Sequence, residues 1–146
     1  MKEARTSQSL ERETVTETIG IETKTTPFEE LDDEVKLAID CANEKKAMQV
    51  VALDLREITS FTEFFVVTHG MNTRHVQAIA DEISKELKKQ KGLSPVRIEG
   101  YSAAQWVLLD YGDFITHIFN EESRSFYDLE RLWRDASVVE LDTPEE

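Results

Sequence analysis

Cysteine is almost missing from this chain: Cys41 is the only one in 146 residues. A lone thiol excludes an internal disulfide and any zinc site built on several cysteines, and it is the usage of a reducing compartment. Set in Ala38-Ile39-Asp40-Cys41-Ala42, at helical spacing, it reads as a small buried apolar residue rather than a nucleophile. Long apolar runs are missing as well. None approaches the roughly 18 residues of a membrane span, and Met1-Lys2-Glu3-Ala4-Arg5 lacks the apolar stretch of a secretory signal. Basic residues are scarce, with 17 Lys and Arg against 30 Asp and Glu and a net charge of −13. Such a balance has no long-range attraction for phosphate backbone, which excludes free nucleic acid and anionic membrane as the main partner and favours a basic protein surface. The expected location is the cytoplasm.

What is present is unevenly distributed. Residues 1–26 are rich in Thr, Ser and Glu, and beyond Met1 their only bulky apolar residues are Leu10, Val15, Ile19 and Ile21. Too little surface can be buried there to offset ordering entropy, so a disordered extension is expected. Residues 137–146 carry four acidic groups and no basic one and read as an acidic tail. Residues 27–136 remain as one folded domain. Thr26 as a cap and Pro27 at the first helical position open a helix expected to reach Lys46, with Phe28, Leu31, Val35, Ala38 and Ala42 on one face. Val50–Leu55 and Phe64–Thr68 are short apolar runs that read as buried strands. Gly70 and Asn72 introduce a helix from Thr73 to Lys91 that Gly92 stops.

Val96–Glu99 alternates as a less buried strand, and Trp106–Asp110 and Phe114–Phe119 flank Tyr111-Gly112-Asp113 as a hairpin. A last helix is expected from Ser123 to Ala136, with Phe126, Leu129, Leu132 and Trp133 turned inward. A strand–helix–strand unit asks for a parallel pair and the hairpin for an antiparallel one. The expected fold class is α/β: a single domain with a mixed, mostly parallel five-stranded sheet flanked by helices.

Motifs for chemistry are weak. His69, His75 and His117 and the strand-end acids Asp54, Asp110 and Asp113 invite a metal site, yet no His-x-His, His-Glu-x-x-His or Asp-x-Asp spacing is present. Gly70-Met71-Asn72 before a helix resembles an anion cradle, without Gly-x-Gly-x-x-Gly or Gly-Lys-Ser/Thr, and helix capping by Asn72 or Thr73 is the plainer role. Ser60, Ser102, Ser123 and Ser125 sit in turns or at helix starts and none forms a nucleophile elbow. No cofactor and no metal are expected. What stands out is polar and aromatic: Glu99, Tyr101, Ser102, Trp106, Asp110, Asp113 and His117. Tyr and Trp favour interface centres and acids match a basic partner. Trp106 as a filler of the core at a strand start is the competing reading.

At these residues the chain resembles the ribosomal silencing factor family, the Iojap-related proteins. The resemblance rests on Val51-Ala52-Leu53-Asp54-Leu55, on Phe64–Thr68 with Gly70 and Arg74-His75-Val76, and on Ala78-Ile79-Ala80-Asp81. It continues through Glu99-Gly100, Trp106–Asp113, His117-Ile118-Phe119, Arg124, Tyr127–Glu130 and Leu132-Trp133, covering about residues 28–135. Glu63, where the family usually has Asp, His69, in place of a small residue, and the N-terminal extension depart from the pattern. The resemblance implies a nucleotidyltransferase-like fold without transferase activity. It also implies binding to the L-fourteen protein of the large ribosomal subunit, which blocks joining of the small subunit and lowers translation when nutrients are short. Glu99, Tyr101, Trp106, Asp110 and Asp113 are the expected partner-binding residues. The alternative is a magnesium-dependent nucleotidyltransferase using Asp54, Asp110 and Asp113. Whether the free protein is a monomer or a homodimer is left open by the sequence.

Overall fold

A computed structural model describes residues 24–141. The expectations for residues 1–23 and 142–146 lie outside the described residues. The strands are Thr25–Thr26 (β1), Met48–Asp54 (β2), Phe64–Gly70 (β3), Arg97–Glu99 (β4), Trp106–Asp110 (β5), Phe114–Asn120 (β6) and Ser137–Val139 (β7). The helices are Asp33–Glu44 (α1), Thr73–Lys91 (α2), Glu121–Tyr127 (α3) and Leu129–Leu132 (α4), with a 3-10 turn at Phe28–Glu30. All seven strands form one sheet in the order β1-β7-β2-β3-β6-β5-β4.

The mostly parallel five-stranded sheet is thereby corrected. Only β1 with β7 and β3 with β6 are parallel; the other four pairings are antiparallel. The helical crossover after β3 delivers the chain to β4 at the far edge, and two antiparallel steps bring β6 back beside β3. The nucleotidyltransferase-like details implied by the resemblance are likewise not matched in full. The domain limits move too. Thr25–Thr26 and Ser137–Val139, assigned above to the tails, pair with each other, and Ser137 and Val138 also pair with Asp54 and Leu53 of β2. Both segments carry β-branched residues that suit a strand but are too short to announce one; each is ordered by the edge it completes.

Two apolar layers sandwich the sheet. On one face Ala52, Phe64, Val66, Val107, Leu109 and Ile118 meet Val35, Ala38 and Ala42 of α1 and Val76, Ile79, Ala80, Ile83 and Leu87 of α2. On the other, Leu53, Phe65, Val67, Ile115 and Phe119 meet Leu129, Ala136 and Trp133 from the C-terminal segment. β3 is buried along its whole length and β6 as far as Phe119, so that Thr68, His69, Thr116 and His117 are buried along with their apolar neighbours. The α2 limits match expectation. The Asn72 side chain accepts the His75 amide, Gly92 closes the helix at φ +64°, and Lys88, Lys89 and Lys91 suit the negative end of the dipole. Met71 N–H donates to His75 Nδ1 at 2.9 Å, so this turn spends its donors on capping.

Two helix expectations fail. The first helix starts at Asp33, because Thr26 lies in β1 and its hydroxyl donates to Asp54 at 2.7 Å instead of capping. The last helix is split at Asp128, which takes a left-handed conformation at φ +51°. The break turns Phe126 and Leu132 outward, 80% and 71% exposed, while Leu129 remains buried.

Candidate functional site

Residues directly opposite in a ladder share a face, and this rule assembles the site. Trp106 pairs with Phe119, Leu108 with His117 and Asp110 with Ile115 across β5 and β6. Arg97 and Glu99 pair with Asp110 and Leu108 across β4 and β5. All lie on the face opposite α1 and α2. Helix α3 reaches only part of it, and burial falls from β6, through half-buried Trp106, Leu108 and Asp110, to exposed β4. The result is an open sheet face, aromatic at its centre and charged at its edge.

Trp106 is that centre. Its ring lies 5.0 Å from Phe119 and 4.7 Å from Tyr127, and Phe126 stands edge-on to Tyr127 at 5.0 Å. The indole Nε1–H donates to Nδ1 of His117 at 3.1 Å. The two readings of Trp106 thus meet: it is packed on one side and half-exposed on the other. Burial pushes the His117 pKa down to about 3, so the ring is a neutral acceptor.

The acids divide. Glu99 is exposed and pairs with Arg97 at 3.2 Å. Asp110 Oδ1 accepts the Gly112 amide at 2.9 Å, holding the hairpin turn, and its other oxygen faces Arg97 at 3.4 Å. Asp113 is exposed in that turn, and its carbonyl accepts the Glu63 amide at 2.8 Å. Tyr101 belongs elsewhere: its hydroxyl donates to Asp81 of α2 at 2.9 Å, and its carbonyl accepts from Gln77 at 3.0 Å. That hydrogen bond to a carboxylate also raises the Tyr101 pKa. Glu99, Trp106 and Asp110 are therefore brought to one face, Asp113 sits at its end, and Tyr101 ties the β4–β5 connection to α2. Tyr127, Phe126 and Leu108 were missed. The alternation Trp106-x-Leu108-x-Asp110 could have found Leu108; nothing in the pattern shows the break at Asp128 that exposes Phe126.

The acids proposed for magnesium do not converge. Asp54 is held by Arg56 at 2.8 and 2.9 Å and by Thr26, and Asp110 by its own turn. Among the described residues no three His, Cys, Asp or Glu side chains are grouped to hold a metal ion. None of the described helices is long and apolar enough to cross a membrane.

Comparison with known proteins identifies the family. The family model described as "Ribosomal silencing factor during starvation" matches residues 28–146. Ribosomal silencing factor RsfS of Halalkalibacterium halodurans is 44% identical over 108 residues, 74% of this chain and 92% of that protein. The Bacillus subtilis protein of the same name is 39% identical, over 74% of this chain and 91% of its own length. A crystal structure from Bacillus halodurans, 42% identical, superposes with a TM-score of 0.64 over 73% of this chain and 96% of that one. With both family model and relatives spanning most of its length, the chain belongs to the ribosomal silencing factor family.

Proposed function

We propose that this protein silences translation without chemistry: it binds the L-fourteen protein of the large ribosomal subunit in the cytoplasm and sterically blocks joining of the small subunit when nutrients are limiting. One observation carries the reading. On a chain of this family, a sheet face is left open with Trp106, Tyr127 and Phe126 at its surface and Glu99 and Asp110 beside them. Aromatic anchors flanked by acids suit a basic ribosomal protein, and the net charge of −13 favours the encounter. Asp54 and Asp110, engaged with arginines and turns, give a nucleotidyl-transfer centre nothing to build on.

The test is subunit joining. Excess purified protein is expected to hold large and small subunits apart in sucrose gradients under magnesium conditions that otherwise join them. Normal joining would overturn the reading, as would transfer of label from nucleotides in the presence of Mg²⁺. Trp106→Ala, checked for folding by circular dichroism, is expected to weaken large-subunit binding by about 2 kcal/mol, roughly 30-fold.

A further inference from the structure

His117 is 4% exposed, on the same face as Trp106 but beneath its surface. Its ring stands edge-on to Phe65 at 4.4 Å. An indole nitrogen only donates, so the 3.1 Å contact with Trp106 makes Nδ1 the acceptor and leaves the proton on Nε2. Among the described residues that Nε2 has no hydrogen-bond partner, although it is buried. An unpaired buried donor works against stability, and an aromatic hydrocarbon ring would fill the same space without it. Packing alone does not explain a histidine here. The bond it makes with Trp106 does.

We propose that His117 is a positioning residue for the partner-facing surface: its Nδ1 holds the Trp106 indole N–H and so fixes the ring, between Phe119 and Tyr127, in the orientation the partner meets. The inference rests on the proposed role of Trp106 in binding. The side chains set against the imidazole are Phe65 and Val67 of β3, Trp106 and Leu108 of β5 and Phe119 of β6. None is charged, and burial alone disfavours the imidazolium. The acceptor therefore stays in place across the physiological range, where an ordinary histidine would become a donor and turn the indole away.

The experiment has two arms, both on the full chain. In the free protein, ¹⁵N spectra of the imidazole are expected to show His117 with Nδ1 unprotonated and no titration between pH 5 and 8. A proton on Nδ1, or titration in that window, would overturn the proposal without any reference to the ribosome. In the second arm, purified large subunits are titrated with His117→Phe, which keeps a buried ring but removes the acceptor, and with His117→Asn, whose amide oxygen lies close to the place of Nδ1. His117→Phe is expected to bind roughly fivefold more weakly, the scale of one net hydrogen bond, and His117→Asn to recover part of that loss. With Trp106→Phe already present, His117→Phe is expected to add no further loss, since no N–H remains to hold. Binding of His117→Phe at the wild-type level, where Trp106→Ala binds poorly, would overturn the positioning role alone. Wild-type binding by folded Trp106→Ala would remove the surface itself.

Discussion

Gly100 stands at φ +79° where the chain leaves β4, and a Cβ on it would run into the Trp106 carbonyl oxygen. Two demands meet at one residue: a left-handed backbone and a close approach. Ala104, in the same connection, is also left-handed at φ +54°, and its amide donates to the Gly100 carbonyl at 2.9 Å. Gly100→Ala is expected to lower stability by on the order of 3 kcal/mol, from backbone strain plus forced displacement of β5. Urea unfolding measures this, and a loss below about 1 kcal/mol would show that the loop yields. The sequence marks Gly100 as the start of a turn, Gly100-Tyr101-Ser102, and through the family pattern Glu99-Gly100. Its physical reason, the carbonyl six positions on, exists only after folding.

At the scale of elements, one carboxylate on β2 ties down β1. Burial pushes the Asp54 carboxyl up, but hydrogen bonds from the Arg56 side chain and backbone and from Thr26 outweigh it, and the pKa falls from 3.8 to about 2. Arg56 reaches on to Glu30 at 2.7 Å. A carboxyl more acidic when folded stabilises above its unfolded pKa and loses that contribution as pH falls through the folded value. Roughly 2 kcal/mol should therefore be present at pH 7 and vanish between about pH 4 and pH 2. Asp54→Asn is expected to remove it at pH 7 and to flatten that acid limb, read by thermal melts across the range. A limb as steep as wild type would contradict this. The same elements show what was legible. Helix α2 was readable end to end because Asn72 and Gly92 are local signals that act within one turn. The start of α1 was not, since Thr26 spends its hydroxyl on a residue 28 positions away. β1 and β7 carry no periodicity of their own, and the outward turn of Phe126 and Leu132 depends on a single left-handed Asp128. That Glu99, Trp106 and Asp110 share one face follows from the alternation along β4 and β5, whereas the tie from Tyr101 to α2 was not legible, because loop residues have no face until a helix claims them.

For the whole molecule, the proposed binding assigns the encounter to charge and the fit to the open sheet face. Residues 1–23 hold three of the basic and five of the acidic residues, a minor share of the net −13. Their removal is expected to change large-subunit affinity by less than tenfold, or 1.4 kcal/mol, at about 0.15 M salt, where the Debye length is roughly 8 Å. A larger loss, measured as a change in Kd, would show that the segment contributes contacts of its own. The cut belongs before Lys24, whose carbonyl accepts the Val138 amide at 3.0 Å.

That clasp between the first and last strands has a wider bearing. β1 and β7 lie side by side at one margin of the sheet, and β5 lies five strand positions away from β1, roughly 24 Å at 4.8 Å per strand. The clasp and the Trp106 face are therefore separated by most of the width of the sheet, and a change at one leaves the strand pairings of the other untouched.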